Sequence, residues 1–436
     1  VTRNTDRFNQ FAGSIGGPII KNKVFFFFSY ETLRNSTTAT GSGWYETPQF
    51  LSTVQSAKPG SIASQITGFP GEGASFSTIS QTANCAFTGI TPCADIHDGS
   101  GALVGLDVGS PLAAPLGTPD PTWSAGTFGS GGGLDGVPDI MFVNTVNPTD
   151  STAEQYNGRL DFQATNSDLI AFSIYHVPVT TTNFNGPTRS ANLWNNDRTN
   201  RSATLLWNHT FGPSLLNEAR ISASGWHWNE VESNPQEPWG LPTDNIDAFQ
   251  GVNLNYFGAP GPSQFSQYTY NARDTASWMK HSHALKFGAD VYWEQNNDSQ
   301  TWSARPTYGF RNLWDFANDA PYSEAGNFDP RTGVPTAVKK YIRSWIYSFF
   351  AQDDWKVRPN LTLNLGLRYE YFGPITEKNG QISNAILGSG ANTLTDLRLK
   401  LGGNLYNTSK NNWGPQIGFA WTPRPSSDQL FVLRGG

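Results

Sequence analysis

Few of the side chains capable of chemistry stand at the spacings that chemistry requires. Gly131 to Gly136 reads GGGLDG and formally meets the G-x-G-x-x-G spacing of a phosphate-cradling turn. Such a turn needs a strand before it and a helix after it, and this Gly-rich surrounding supplies neither, so a flexible loop is the plainer reading. His281 and His283 sit in one short turn and could share a metal, but two imidazoles without a third ligand make a weak site. Asp95, Asp98, Asp135 and Asp139 could offer oxygens to Ca²⁺, although they lack the spacing of an ordered calcium loop. No P-loop, H-E-x-x-H or G-x-S-x-G pattern occurs, so the chain is read as a non-enzyme without a cofactor. Cys85 and Cys93 are the only cysteines. In an oxidising compartment they form one local disulfide; two unpaired surface thiols are the alternative.

The charges are more orderly. Arg159 with Asp161, Glu218 with Arg220, and Arg368 with Glu370 are opposite charges two residues apart. On a β-strand that spacing puts both members on one face. They would line a polar interior and pair across strands, a structural role favoured over direct contact with a substrate.

The elements that must carry those pairs are strands. From Leu361 onward, Leu361, Leu363, Leu365, Leu367, Tyr369 and Tyr371 alternate with Thr362, Asn364, Gly366, Arg368 and Glu370. One face is greasy and the other wet. A strand crossing a bilayer at a tilt needs roughly 9–11 residues, a length this run meets. The pattern recurs in 6–20 and 24–34, 153–164 and 169–177, 202–211 and 215–228, 264–280 and 284–294, 349–358, and 413–421 with 430–434. Tight turns such as Lys21–Lys23, Gly212–Ser214 and Arg358–Asn360 join one end of about six hairpins. Long polar loops join the other end, the longest from about 35 to 150. In the strand 264–280, Asp274 shares parity with Ala272, Ala276 and Trp278, which leaves its facing open. Short helices are expected at 50–57 and 313–317.

Composition agrees. Charged residues are 15% of the chain, against roughly 25% in soluble domains, and aromatics reach 13%. A mean hydropathy of −0.43 and the lack of any long apolar run exclude a helical membrane protein. A transmembrane barrel tolerates such an average because half of each strand faces water. A net charge of −6 argues against a nucleic-acid partner. The fold class is therefore all-β and membrane-embedded: a partial transmembrane antiparallel β-barrel of about 12 strands, with short periplasmic turns and long extracellular loops. Leu361, Leu363, Leu365 and Leu367 would face lipid, while Arg159, Asp161, Glu218, Arg220, Arg368 and Glu370 would face the lumen. Trp207, Trp226, Trp228, Trp293, Trp345 and Trp355 fall near strand ends, where interfacial aromatic girdles sit; core packing is the alternative. Substrate contacts fall to the long loop, where Trp44, Tyr45 and Trp123 offer stacking surfaces.

Three blocks carry a family resemblance. NQFAGSIGGPIIKNKVFFFFSYETLR (9–34) resembles the first barrel hairpin of Oar-like TonB-dependent outer-membrane transporters, a group with a carboxypeptidase-regulatory-like domain. FFAQDDWKVRPNLTLNLGLRYEYFGPITEKNGQISN (349–384) and the segment 411–436 are similar to two further blocks of that group, in the expected order. The resemblance implies a 22-stranded barrel around a plug that reaches the TonB complex through a TonB box. On that basis residues 1–436 are expected to be a barrel fragment, with 1–34 the first hairpin, 35–150 an extracellular loop and 151–436 further hairpins. Plug, TonB box and C-terminal strands are expected to lie outside it. Implied partners are outer-membrane lipid, the TonB complex and a substrate too large or scarce for porins. The rival readings are a passive porin-like or adhesion barrel, and a secreted glycan-binding β-sandwich or propeller.

Overall fold

The computed structural model describes residues 5–121, 131–184, 186–232, 243–247, 254–255, 257, 263–300, 306–329, 332, 334, 338–423 and 431–436. One 16-stranded sheet dominates it, and twelve of its strands form an antiparallel meander in chain order. They are Thr5–Ile20, Val24–Glu46, Ile140–Gln163, Asp168–Phe184, Leu193–Gly212, Leu215–Glu232, Ser263–Lys280, His283–Gln300, Val338–Arg358, Leu361–Phe372, Trp413–Trp421 and Leu433–Gly435. Each pairs with its sequence neighbour, and the sheet is open between the first and the twelfth. No helix among the described residues is long and apolar enough to cross a membrane, which says nothing of strands.

Register turns the separate alternations into two continuous faces. Gly17, Phe26, Leu160, Phe172, Leu205, Ile221, Ala272, Val291, Tyr347 and Tyr371 are successive cross-strand partners on a single rung. Partners across an antiparallel ladder share a face, so ten strands present one apolar surface. None of the described residues covers it: Phe11, Ile15, Ile221, Phe349 and Ile417 are 65%, 63%, 64%, 51% and 73% exposed. The rung also drifts along the strands. It lies two residues from the strand start at Val24 and ten from the start at Leu361. That stagger is what closing a tilted barrel demands.

Asp274 lands on the apolar face, between Ala219 and Ala289. Asn217 Nδ2 donates to it at 2.9 Å, so the carboxylate has a polar partner on that face.

Several strands run well past their alternating cores. The long loop expected over 35–150 shrinks to 47–139, because Asn35–Glu46 pairs residue by residue with Ile140–Ser151. The connection between the expected strands 169–177 and 202–211 likewise shrinks, with strands reaching Phe184 and resuming at Leu193. These extensions are rich in Thr, Asn and Ser on both faces, so they pair through backbone without leaving a hydrophobic period. The helix Pro48–Ala57 follows, with Pro at its first turn and the Thr47 side chain accepting from Phe50 N. The other expected helix is Leu313–Ala317, where Asn312 Oδ1 accepts from Trp314 N and Asp315 N.

At the loop end three segments distant in sequence pack into one cap. Phe50, Val54, Ile66 and Leu106 from 47–139 meet Phe257, and Phe310, Trp314 and Phe316 from 306–320, all nearly or fully buried. Phe257 stacks on Phe316 at 5.0 Å, and Phe310 meets the same ring edge-on at 5.4 Å. Burial of each such side chain contributes about 1.5–3 kcal/mol. Polar ties cross the same segments: the Asp319 carboxylate accepts from Ile62 N at 2.7 Å, and Asp315 Oδ1 accepts from Asp120 N at 2.6 Å.

Candidate functional site

The polar face of the sheet carries the ordered charges. Arg220, Arg273, Asp290, Ser348 and Glu370 occupy one rung across five adjacent strands. Arg273 grips Asp290 through Nε at 2.8 Å and through Nη2, and Asn271 Nδ2 donates to the same carboxylate at 2.6 Å. Asp290 is 2% exposed, and its charge is held by these donors. Two of the expected pairs close along their own strands: Arg159 with Asp161 at 2.9 Å and Arg368 with Glu370 at 2.6 Å. Glu218 and Arg220 share the face without forming an ion pair among the described residues. Arg220 instead stands beside Arg273, whose partner Asp290 lies one strand further on. Leu361, Leu363, Leu365 and Leu367 stand on the apolar face, in register with Trp421, Phe419, Ile417 and Pro415.

The six expected girdle tryptophans divide. Trp293 and Trp345 stack on the apolar face at 5.5 Å toward the loop end, and Trp345 continues onto Tyr347. Trp207 and Trp355 lie on that face toward the turn end, where the His283 ring stacks on Trp355 at 5.2 Å. Trp226 and Trp228 belong to the polar face, in register with Gln267 and Phe265, and so are not girdle residues. Trp226 meets the Phe265 ring at a tilt, 4.5 Å between centroids, and Trp228 Nε1 donates to Asn196.

The residues expected as stacking surfaces for a substrate are otherwise placed. Trp44 and Tyr45 are 7% and 3% exposed inside the cap, Trp44 against Phe142 and Tyr45 beneath Arg189. The strand running on to Glu46 carries both rings into the packed core, so neither presents a free face. Trp123 lies outside the described residues.

The other candidate chemistry resolves into local scaffolding. In the GGGLDG stretch, the amides of Asp135 and Gly136 both donate to Asp107 Oδ2, at 3.1 and 2.7 Å. The protein's own carboxylate thus fills the place a phosphate would take. Gly131 has φ 56° and runs so close to the Ser110 carbonyl that a Cβ would overlap it. Asp95 accepts from Cys85 N, Asp98 from Ser100 N, Ser100 Oγ and Ala102 N, and Asp139 from Val108 N. No group of three metal-ligating side chains forms among the described residues. His281 turns the chain at φ 54°, and His283 Nδ1 shares a 2.7 Å hydrogen bond with Asp353. Cys85 and Cys93 are joined by a disulfide across a separation of eight residues. A loop that short is stabilised by about 2–3 kcal/mol on the chain-entropy account.

The polar heart of the cap leaves no mark in the sequence. Arg189 and Glu46, 0% and 1% exposed, form a two-pronged ion pair at 2.5 and 2.8 Å. The guanidinium also lies 4.2 Å over the Phe257 ring and donates to the Glu72 and Asn255 carbonyls. Asp244 is fully buried, and neither of its carboxylate oxygens has a hydrogen-bond partner among the described residues. Burial, then the charges of Glu72 and Asp319, push it well above the usual carboxylate range. A carboxyl whose folded value is raised lends stability below its unfolded value, near 3.8, and loses it as pH climbs through the raised value. Asp244→Asn is therefore expected to slow hydrogen exchange of cap amides at pH 7, with the gain shrinking toward pH 4. An equal gain at both pH values would show that Asp244 carries no such penalty.

A family model described as the outer membrane beta barrel domain matches residues 1–436. No curated protein matches the sequence. Among solved structures, the outer membrane transporter YddB from Escherichia coli is similar at 8% identity, with a TM-score of 0.42, over 98% of this chain and 46% of its own. The copper transporter OprC is similar at 10% identity and a TM-score of 0.37, over 99% of this chain and 44% of its own. The ferric-catecholate import receptor Fiu from E. coli K12 is similar at 11% identity and a TM-score of 0.33, over 97% and 61%. The chain thus spans less than two thirds of the length of these structures.

Proposed function

Because the chain belongs to the outer membrane beta barrel domain family, and so to the outer membrane of a Gram-negative cell, we propose that it is part of the wall of an energy-coupled transporter. In this reading the apolar face meets lipid, the polar face lines the lumen, the tight turns are periplasmic and the cap is extracellular. Transport proceeds without catalysis and is driven through the TonB complex by a plug outside these residues. The wall supplies a charged lining for that plug: Arg220, Arg273, Asp290 and Glu370 on one rung, with Arg159–Asp161 and Arg368–Glu370 beside them. Such fixed charges suit a polar plug surface that must be held and then released.

One observation carries the reading. Loops at a single end pack into a cored, disulfide-tied cap over a polar-faced sheet. A cap of that kind suits selective capture better than free diffusion. The resemblance of residues 9–34, 349–384 and 411–436 to Oar-like transporters points to the TonB-coupled class. The test is capture of the full-length protein, in detergent, by the periplasmic domain of TonB. Retention that is lost on deleting the segment preceding the barrel is expected; no retention of the full-length protein would favour a passive barrel.

A further inference from the structure

The apolar face carries a line of aromatic rings toward the loop end, and the line has one gap. On one side Tyr30 and Tyr156 lie 5.2 Å apart, and Tyr156 stacks on His176 at 6.1 Å. On the other side Tyr270, Trp293, Trp345 and Tyr347 follow at spacings of 5.3, 5.5 and 6.0 Å. Between His176 and Tyr268 the same rung is filled by Arg201 and Gly225. The next rung toward the turns holds only Ala203 and Ala223 at this point. The result is a cleft of about 500 Å³ on the apolar face, walled by Ile174 and Tyr270.

Arg201 is the charged residue that stands in this gap, between Ile174, Ala203 and the Tyr268 ring. Its Nη2 donates to the Tyr268 hydroxyl at 2.8 Å, and its guanidinium lies 5.4 Å over that ring. Among the described residues no carboxylate pairs with it, which leaves most of its five N–H donors open. Gly225 permits the arrangement, since a Cβ there would collide with the Tyr268 ring. Arg201 stands eleven residues from the strand end at Gly212. With a rise of roughly 3.4 Å per residue and a tilt of about 45°, that is about 26 Å above the turns, the top of an apolar band roughly 25 Å tall. At that depth the lipid presents its headgroup, and a planar guanidinium fits a phosphate with two parallel hydrogen bonds.

We propose that Arg201, with His176 and Tyr268, binds the headgroup phosphate of an outer-leaflet lipid whose acyl chain lies over Ala203 and Ala223. The proposal rests on the assignment of the apolar face to lipid and of the loop end to the outside. The guanidinium replaces a lost aromatic contact by a charge-assisted one, so the protein is held at a fixed depth and rotation beside a phosphorylated lipid.

The test is native mass spectrometry of the full-length protein released from nanodiscs containing diphosphoryl lipid A, or lipid A stripped of its phosphates. Retention of the phosphorylated lipid is expected to exceed that of the stripped lipid at least fivefold, and Arg201→Gln should abolish the difference. Tyr268→Phe, which keeps the ring and frees the guanidinium, should lower it about twofold, so a misfolded Gln variant cannot decide the matter alone. Inorganic phosphate at millimolar concentration should not displace the lipid; displacement would assign the site to free phosphate and overturn the proposal. Equal retention by wild type and an inserted Arg201→Gln would also overturn it while leaving the barrel reading intact. Failure of the wild type to enter nanodiscs would instead sink that reading.

Discussion

Leu367→Arg is expected to block membrane insertion, while Asn364→Arg inserts almost as well as wild type. The two positions lie on one strand, on opposite faces. Leu367 is 45% exposed on the apolar face, between Ala351 and Pro415, neither of which could take a charge. It stands six residues from the strand start at Leu361, close to the middle of the apolar band. An arginine there costs about 2–4 kcal/mol at the bilayer midplane, a factor of roughly 30–1,000 in the inserted fraction. Leu365 would be a poorer choice, because Asp353 is its cross-strand partner and would shelter a cation. Asn364 lies on the polar face and already donates to Asp354 at 2.6 Å, so an arginine finds a carboxylate and water. Heat-modifiable mobility on gels of outer-membrane fractions reads the inserted fraction. Equal loss at both positions would refute the assignment of faces.

The second large effect lies in the cap. Arg189→Met leaves Glu46 as a buried charge stripped of both its hydrogen bonds. Breaking a buried pair from one side costs about 3–5 kcal/mol, because the remaining ion is uncompensated. The loss should be local. Hydrogen exchange across 47–139 should accelerate about a hundredfold or more, while amides near the tight turns keep wild-type protection. Adding Glu46→Leu should restore much of the protection by removing the stranded charge. Unchanged exchange in Arg189→Met would mean that this ion pair does not hold the cap.

The meander was legible because lipid on one side and water on the other impose a period of two, and Leu361–Tyr371 shows it without interruption. Where both faces are wet, the period vanishes. Asn35–Glu46 and Ile140–Asp150 therefore read as loop although they pair throughout. The cap core was illegible for a different reason: Phe50, Phe257 and Trp314 come from three segments separated by about 200 and about 60 residues, and no local pattern announces their contact. Trp44 and Tyr45 look like open surfaces in the sequence for the same reason. Trp226 and Trp228 are a different case, since their even parity with Glu218 and Arg220 already placed them on the polar face. The charge pairs came through in part. Two residues on one strand can be matched by spacing, but Arg220 beside Arg273 is a matter of register.

The central claim is that one face of this meander meets lipid, with the cap outside the cell and the turns inside. It is tested most directly by labelling single cysteines in intact cells with a membrane-impermeant maleimide. Thr118→Cys reports on the exposed cap and Asn166→Cys on an exposed turn. Labelling of position 118 in intact cells, and of position 166 only after the outer membrane is opened, is the predicted result. Labelling of position 166 alone in intact cells, or of both positions alike, would contradict the account.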